Sequence, residues 1–290
     1  MPYTVLPAAA WAARAAAHQA RVDGWLAPHL QRRRDGVTHP VHDFLFTYYS
    51  YRPAQLRRWH PGAGVLLLGA DPGELGKGYV AGHGGAHLDV PTQLSRRAQA
   101  LPWIARLLTA TAGRPAHLGC FGMHEWAMVY QQTQDEVRHN AWPLRLSPDE
   151  TAAVVRERGV RCSHFDAFRF FTAPARPLNV LQPTRERQHE LEQPGCLHAG
   201  MDLYKWAYKL SPLVDSELVA DCFELARDIR TLDMRASPYD LVGLGFTPVA
   251  VETAAGRAEY VTAQREFAER GAVLRGRLTA TIRAVSEPAV

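Results

Sequence analysis

A row of four polar side chains marks the segment HAGMDLYKWAYK, residues 198–209. At 100° per residue, His198, Asp202, Lys205 and Lys209 fall in one narrow stripe of a helix whose remaining surface is apolar. A helix that is apolar nearly all round is usually buried, so the stripe is expected to face an internal cavity, where charges must be paired or functional. The alternative is an amphipathic helix whose stripe faces solvent, with Asp202 and Lys205 in an i,i+3 ion pair.

The two lysines of this stripe are unusual for the composition of the chain. Only three lysines occur among 33 lysine and arginine residues, and two of them are Lys205 and Lys209. A buried lysine can lose its proton and act as a base or nucleophile, which an arginine cannot do. We therefore favour a functional stripe over a solvated one.

A second acidic row lies in DSELVADCFELARDIRTLD, where Asp221, Glu224 and Asp228 share one helix face. Carboxylates in this arrangement can bind a metal ion or activate a water molecule. The alternative is a solvated flank paired with Arg227 and Arg230, and the neighbouring arginines favour it.

Two further segments place a histidine beside an acid: HPVHDFLFTYY contains His42 and Asp43, and FGMHEWAMVY contains His124 and Glu125. Neighbouring residues of a helix point about 100° apart, so one pair cannot chelate a single ion, although each helix can donate one ligand. A lone histidine on an aromatic face is more often a core residue. Helical dimetal sites combine acids from some helices with histidines at i,i+3 or i,i+4 from others. The resulting candidate metal ligands are His42, His124, His198, Asp202, Glu224 and Asp228.

The segment RCSHFDAFRFF places Arg161, His164, Asp166 and Arg169 among phenylalanines that include Phe165. Arginines in such a segment can clamp an anionic group while an aromatic ring stacks on a planar base. The segment can equally be part of the core, with its charges at the rim.

The elements that must position these side chains are mostly helices. Residues 8–34 have helical spacing with a bend or break expected near Pro28. Further helices are predicted at 39–53, 93–111, 120–136, 147–158, 184–192, 197–210, 215–231 and 256–283, and a short strand at 247–253. Residues 60–92 are glycine-rich and are expected to form a long loop with one short strand-like run. The predicted fold is therefore a single, mostly α-helical domain over 1–290, with a glycine-rich loop insertion and at most short strands.

Composition and motif searches exclude several classes. Hydrophobic residues at 47% and charged residues at 21% describe a folded protein, and a net charge of +4 permits but does not demand an anionic partner. The glycine-rich region lacks a P-loop because Lys77 is followed by Gly78, where the motif requires serine or threonine.

Four scattered cysteines without a C-x-x-C pair argue against a zinc ribbon and fit a reduced compartment. The N-terminus reads as a helix rather than a signal peptide, and no run is long enough to span a bilayer, so we expect a cytoplasmic protein without membrane contact.

Several longer stretches carry a resemblance to a known family. They are HPVHDFLFTYYSYRPAQLRRWHPG, HEWAMVYQ, CSHFDAFRFFTAPARPLN, QPGCLHAGMDLYKWAYKL and LDMRASPYDL. They resemble a family of actinobacterial proteins commonly named 3-methyladenine DNA glycosylase, and the resemblance runs over most of the chain. The name implies excision of an alkylated purine from DNA, which requires a flipped nucleotide, an aromatic pocket and a carboxylate near the glycosidic bond.

Under this resemblance we expect a DNA-repair hydrolase that needs no cofactor and whose partner is alkylated DNA. Its catalytic residues would be Asp202, Lys205, His198 and Glu125. Its substrate-binding residues would be Trp206, Tyr204, Arg161, Phe165, Asp166 and Arg169.

Two alternatives remain open. The first is a helical, haem-oxygenase-like or ferritin-like oxygenase that uses a non-haem di-iron or manganese centre, held by the candidate metal ligands above, to act on a small molecule. The second is a non-catalytic binding protein. The sequence assigns no oligomeric state.

Overall fold

Helices dominate the computed structural model of the protein, which describes residues 3–286. The helices are α1 (Ala8–Arg34), α2 (Phe44–Tyr48), α3 (Pro53–Arg57), α4 (Pro72–Leu75), α5 (Val90–Ser95), α6 (Ala100–Ala112), α7 (Met123–Ala127), α8 (Pro148–Arg158), α9 (Phe165–Phe168), α10 (Gln188–Leu191), α11 (Leu197–Leu210), α12 (Ser216–Arg235) and α13 (Ala254–Ser286). Short 3-10 helices occupy Arg176–Leu178 and Val242–Leu244. About 55% of the chain is helical and 7% is strand, so the predicted mostly α fold with short strands is confirmed. No helix within residues 3–286 combines the length and apolar composition that crossing a bilayer requires.

Four short strands form the only sheet of the described residues. They are β1 (Thr4–Leu6), β2 (Val65–Leu68), β3 (Tyr79–Gly82) and β4 (Gly85–Leu88), in the order β1-β2-β4-β3. Strand β1 is parallel to β2, and the other pairs are antiparallel. The β3–β4 hairpin turns through His83 and Gly84, both with positive φ, as a two-residue hairpin turn requires. The glycine-rich region thus supplies three strands where one was expected from the sequence.

Several helices differ from their predicted extents. Helix α1 runs without interruption from Ala8 to Arg34 with Pro28 inside it, so Pro28 does not break the helix. The helix expected at 120–136 is limited to α7, because Gln131, beyond its end, has a left-handed φ of 57° and the chain from Met128 onward forms turns. Residues 247–253 form no strand. The ends of these helices and the absence of a strand at 247–253 depend on tertiary contacts, which override the local propensity of the sequence.

The chain divides into two compact units, each built from separate stretches of sequence. Unit 1 takes its described residues from 3–108, 203–224 and 273–286, and unit 2 comprises 109–202 and 225–272. The expectation of a single domain stays a prediction.

In unit 1 the sheet packs against α1. Trp59, Leu67 and Ala86 form a buried apolar cluster with Trp11 of α1 at its border. The Trp11 indole N–H donates a hydrogen bond to the carbonyl of Leu68 at 3.1 Å, which ties the helix to the end of β2.

The buried carboxylate of Asp43, just before α2, forms hydrogen bonds with two residues of α1. Asp43 is 6% exposed, and its Oδ1 lies 2.8 Å from His29 Nδ1 and 2.5 Å from Arg32 Nη2. Burial alone would raise the pKa of Asp43, but the hydrogen bonds from Arg32, His29 and the His39 backbone lower it to about 2.

Because the folded pKa of Asp43 is depressed from 3.8 to about 2, its ionised form stabilises the fold by roughly 2 kcal/mol above pH ~4. This contribution is lost as the pH falls from about 4 to about 2. We predict that Asp43→Asn lowers the free energy of unfolding by about that amount at neutral pH and by progressively less towards pH ~2, in urea titrations followed by circular dichroism. The exposed Asp35, at the end of α1, provides the control Asp35→Asn; equal losses in the two variants at neutral pH would contradict the prediction.

Candidate metal centre

Three side chains from three helices converge in unit 2. They are His124 of α7, His198 of α11 and Asp233 of α12, and one ligand atom from each lies within 4.8 Å of the other two. His124 Nε2 is 2.8 Å from Asp233 Oδ1. The two imidazole rings meet edge to face, with centroids 4.6 Å apart. Within residues 3–286 no other trio of histidine, cysteine or acidic residues comes this close together.

The start of α7 is held in an unusual backbone conformation. Phe121 and Gly122 have positive φ values of 48° and 70°. A Cβ on Gly122 would lie 3.3 Å from the ring of Tyr260, so glycine permits both the turn and the close packing on α13. This turn brings His124 into the interior from a helix of only five residues.

Arg230 fixes the orientation of the Asp233 carboxylate. Its Nη1 lies 3.1 Å from Asp233 Oδ2 and 3.1 Å from Glu125 Oε1, while the other oxygen of Asp233 faces His124. All four of these side chains are at most 6% exposed. Hydrogen-bonding partners of this kind hold metal ligands in place in metalloproteins.

Charge compensation sets the pKa values of the trio. Burial would raise the pKa of Asp233, but His124 above all, with help from His198 and Arg230, holds it below its usual range. Burial would lower the pKa of His124, but Asp233 raises it well above 6.5. Burial and the charge of His124 lower the pKa of His198 to about 3, so its ring is neutral and keeps a lone pair that can bind a metal ion.

A second ionisable cluster lies beside the trio. His164 Nε2 is 3.3 Å from Glu192 and 3.6 Å from Asp202, and all three side chains are buried. Burial would lower the pKa of His164, but Asp202 and Glu192 raise it to about 9. Neither ring nitrogen has a hydrogen bond of good geometry among the described residues, so these contacts are ion pairs. The His164 ring lies 5.4 Å from that of His198.

A cavity of about 830 Å³ in unit 2 is lined by His124 and His198. Tyr260 and Gln264 of α13 also line it, and both are at most 1% exposed. The Tyr260 hydroxyl and Gln264 Oε1 have no hydrogen-bond partner within the described part of the chain. Arg161 lies at the solvent side of the same cavity, with no carboxylate of residues 3–286 in ion-pair distance. The cavity therefore offers polar groups that a ligand can satisfy.

Some of the site residues predicted from the sequence lie at the trio or its cavity, and others lie elsewhere. His124 and His198 belong to the trio, Glu125 contacts it through Arg230, and Arg161 lines the cavity. Asp202 belongs instead to the His164 cluster.

Cys162 and Ser163 of the RCSHFDAFRFF segment also line the cavity, whereas residues 164–171 do not. Asp166 lies 3.3 Å from Arg169 and 3.4 Å from Arg185. The Arg185 guanidinium also lies 5.1 Å from the ring centroid of Phe165.

The remaining predicted residues are not part of the trio. In unit 1, His42 stacks on His39 with ring centroids 4.4 Å apart, and Glu224 pairs with Arg21 at 2.7 Å. In unit 2, Asp228 pairs with Arg270 at 2.7 Å.

The aromatic and lysine members of α11 lie in unit 1. Lys205 Nζ is 4.7 Å from the ring centroid of Trp206, and Lys209 Nζ is 5.9 Å from it. Tyr204 is buried, with its ring 5.0 Å from that of Phe223. The stripe of α11 is thus shared between a histidine and an acid in unit 2 and two lysines in unit 1.

Sequence reasoning missed Asp233, although a signal was present. Asp233 follows Cys222, Ala226 and Ile229 at helical spacing, so it sits on the apolar face of α12. An acid in such a row must be compensated when buried. The acidic row that stood out in the sequence lies instead on the partly exposed face of the same helix.

Comparison with protein-family models, with curated proteins and with solved structures found no match. Membership in the family named 3-methyladenine DNA glycosylase therefore stays a prediction.

Loss of the Arg230 charge would leave two buried carboxylates with less compensation. We predict that Arg230→Met lowers the free energy of unfolding by about 3 kcal/mol or more, because breaking a buried ion pair leaves an uncompensated charge. The control is Arg270→Met, which removes an exposed pair with Asp228 and should cost less than about 1 kcal/mol. Similar losses for the two variants in denaturant unfolding would count against a compensating role for Arg230.

Proposed function

We propose that unit 2 is a mononuclear metal-dependent enzyme that oxidises a small organic molecule, with iron(II) held by His124, His198 and Asp233. The observation that carries the proposal is the convergence of two imidazoles and one carboxylate from three separate helices. Two histidines and one carboxylate on one side of an ion leave positions open for dioxygen and substrate, which is the ligand set of non-haem iron oxygenases.

The distances support one bound ion. Metal–nitrogen and metal–oxygen bonds of about 2.0–2.2 Å place neighbouring ligand atoms roughly 3 Å apart. The trio, with its ligand atoms within 4.8 Å of one another, needs only small side-chain movements to reach that geometry. Only one such trio occurs within residues 3–286, which favours one metal ion over the two of the alternative derived from the sequence.

The surroundings support catalysis rather than a closed structural site. His124 and His198 line the cavity, so an ion between them would be open to ligands on that side. Asp233 does not line the cavity; it is buried beside His124 and oriented by Arg230, which Glu125 also contacts. A structural site of four protein ligands would lack this open face.

The N-glycosylase activity implied by the sequence resemblance is a separate prediction. Its expected carboxylate, Asp202, is 2% exposed, pairs with His164 and does not line the cavity. Release of base from methylated duplex DNA tests that activity directly.

We predict that anaerobic titration of metal-free protein with iron(II) gives one bound ion per chain. Replacing a ligand, as in His198→Gln or Asp233→Asn, should weaken binding by about a hundredfold or more, since loss of an outer-shell partner alone costs 10- to 100-fold. The matched control is His139→Gln, which removes a histidine of unit 2 outside the trio.

Equal iron binding by all four proteins would contradict the assignment of the ligands. Binding of zinc(II) with hydrolytic activity, and no dioxygen-dependent reaction of the iron(II) form, would contradict oxygenase function while retaining the metal site.

The Tyr260 hydroxyl lines the same cavity as His124 and His198 and has no hydrogen-bond partner among the described residues, so it is a candidate donor to an anion bound at the metal. We predict that Tyr260→Phe leaves metal content unchanged but weakens azide binding to the iron(III) form by about tenfold, the loss of one hydrogen bond to a charged group. Azide binding is followed by its charge-transfer absorption. The control is Tyr239→Phe, a buried tyrosine of unit 2 that does not line the cavity, and equal affinity in both variants would argue against a ligand-binding role for Tyr260.

A further inference from the structure

Unit 1 contains a second cavity, of about 590 Å³, whose charged lining is entirely basic. Arg58, Lys77, Arg97 and Lys209 line it, and no aspartate or glutamate does. Two of the three lysines of the chain are therefore in this cavity. The formal net charge of the whole protein is only +4, so this clustering is a local feature rather than a result of composition.

These cations are not neutralised by protein carboxylates. Within residues 3–286, no aspartate or glutamate lies in ion-pair distance of Arg58, Lys77 or Lys209. Four positive charges around one concave space repel one another and generate a strong local potential. Such an arrangement is stabilised when an anion enters the space between them.

Arg97 is held in place by backbone carbonyls. Its Nε donates to the Lys209 carbonyl at 3.0 Å and its Nη1 to the Gln93 carbonyl at 3.1 Å, and its Nη2 donates to the Ser211 carbonyl. These bonds fix the guanidinium without cancelling its charge, because a carbonyl supplies only a dipole.

The loop between α4 and β3 brings Lys77 close to Arg58. Gly76 has a φ of 95°, and a Cβ at this position would lie 2.9 Å from Arg58 Nη1. Glycine therefore allows the loop to approach the guanidinium. The amide of Asp89 donates to the Gly78 carbonyl at 2.8 Å, which fastens the far end of the loop to the hairpin.

Neutral donors complete the wall. Tyr51 and Tyr208 stack in parallel with ring centroids 4.9 Å apart, and Ser50 Oγ lies 3.5 Å from the Tyr208 hydroxyl. His60 also lines the cavity. Burial, Arg58 and His18 lower the pKa of His60 to about 4, so its neutral ring adds a polar contact without a further charge.

We propose that this cavity binds the phosphoryl group of a small phosphorylated molecule. A phosphate dianion offers three acceptor oxygens and matches both the planar fork of an arginine and the point charge of a lysine. A monocarboxylate would leave most of the positive charge uncompensated. Surfaces that bind nucleic acid carry their cations along an extended stripe, whereas these four converge on one concavity. The proposal is independent of the metal centre.

The test is isothermal titration calorimetry of the full-length protein with inorganic phosphate, adenosine monophosphate and a random-sequence duplex oligonucleotide. The informative variant is Arg58→Gln/Lys77→Gln, which spares Arg97 because the hydrogen bonds of that side chain hold the backbone of the cavity wall. The control is Arg57→Gln/Arg96→Gln, which removes two positive charges that lie outside the cavity. A charge-retaining variant, Arg58→Lys/Lys77→Arg, checks that charge rather than packing is responsible. Circular dichroism verifies that every variant is folded.

We expect wild-type protein to bind phosphate with a Kd of about 1 mM and the phosphate ester more tightly. Binding should weaken by about a hundredfold in the Gln/Gln variant, roughly tenfold for each cation removed, and change by less than about threefold in the control and charge-retaining variants. Absence of saturable phosphate binding by the wild type would overturn the proposal, as would an equal loss of affinity in the control. Tight binding of the duplex that phosphate does not displace would also overturn it and would point to a nucleic-acid surface instead.

Discussion

The contact between Asp233 and His124 is the interaction on which the rest of unit 2 depends. Both side chains are at most 2% exposed, and a carboxylate buried to this degree requires a positive partner. Without a metal ion, the protonated His124 and Arg230 supply that charge. A divalent ion would replace the proton of His124 and bring in His198, whose ring is already neutral. The same electrostatic requirement accounts for the contacts that His124 of α7 and Arg230 of α12 make with Asp233.

The two units contain chemically different concavities. The cavity of unit 2 is lined by imidazoles, a tyrosine hydroxyl and glutamine amides, which are suited to a metal ion and a polar substrate, and its charged lining is mixed, with Arg114, Arg161 and Glu190. The cavity of unit 1 is lined by lysines and arginines without a carboxylate, which suits an anion. The stripe of α11 contributes to both, through His198 in one unit and Lys209 in the other. Under the phosphoryl-site proposal, Lys77 and Lys209 serve an anion site rather than a catalytic base.

The long amphipathic helices could be predicted from the sequence because their period and caps are local. Residues 197–210 match α11, and the capping box of Ser147 and Glu150 marks the start of α8. The strands of the glycine-rich region could not, because β3 and β4 are four residues each and their pairing depends on contacts distant in sequence. His124 and His198 were identifiable as chemical groups, but their meeting with Asp233 depends on the packing of three helices. His42 and Asp43 illustrate the opposite case, in which a similar pair serves the fold.

Anomalous diffraction from crystals grown anaerobically with iron(II) shows directly whether an ion binds between His124, His198 and Asp233. Data collected on both sides of the iron absorption edge locate the ion without reference to a substrate. We expect one strong peak per chain at about 2.0–2.3 Å from a nitrogen of His124, a nitrogen of His198 and an oxygen of Asp233. Absence of a peak between these side chains under saturating iron(II), with the Asp233–His124 hydrogen bond intact, would contradict it.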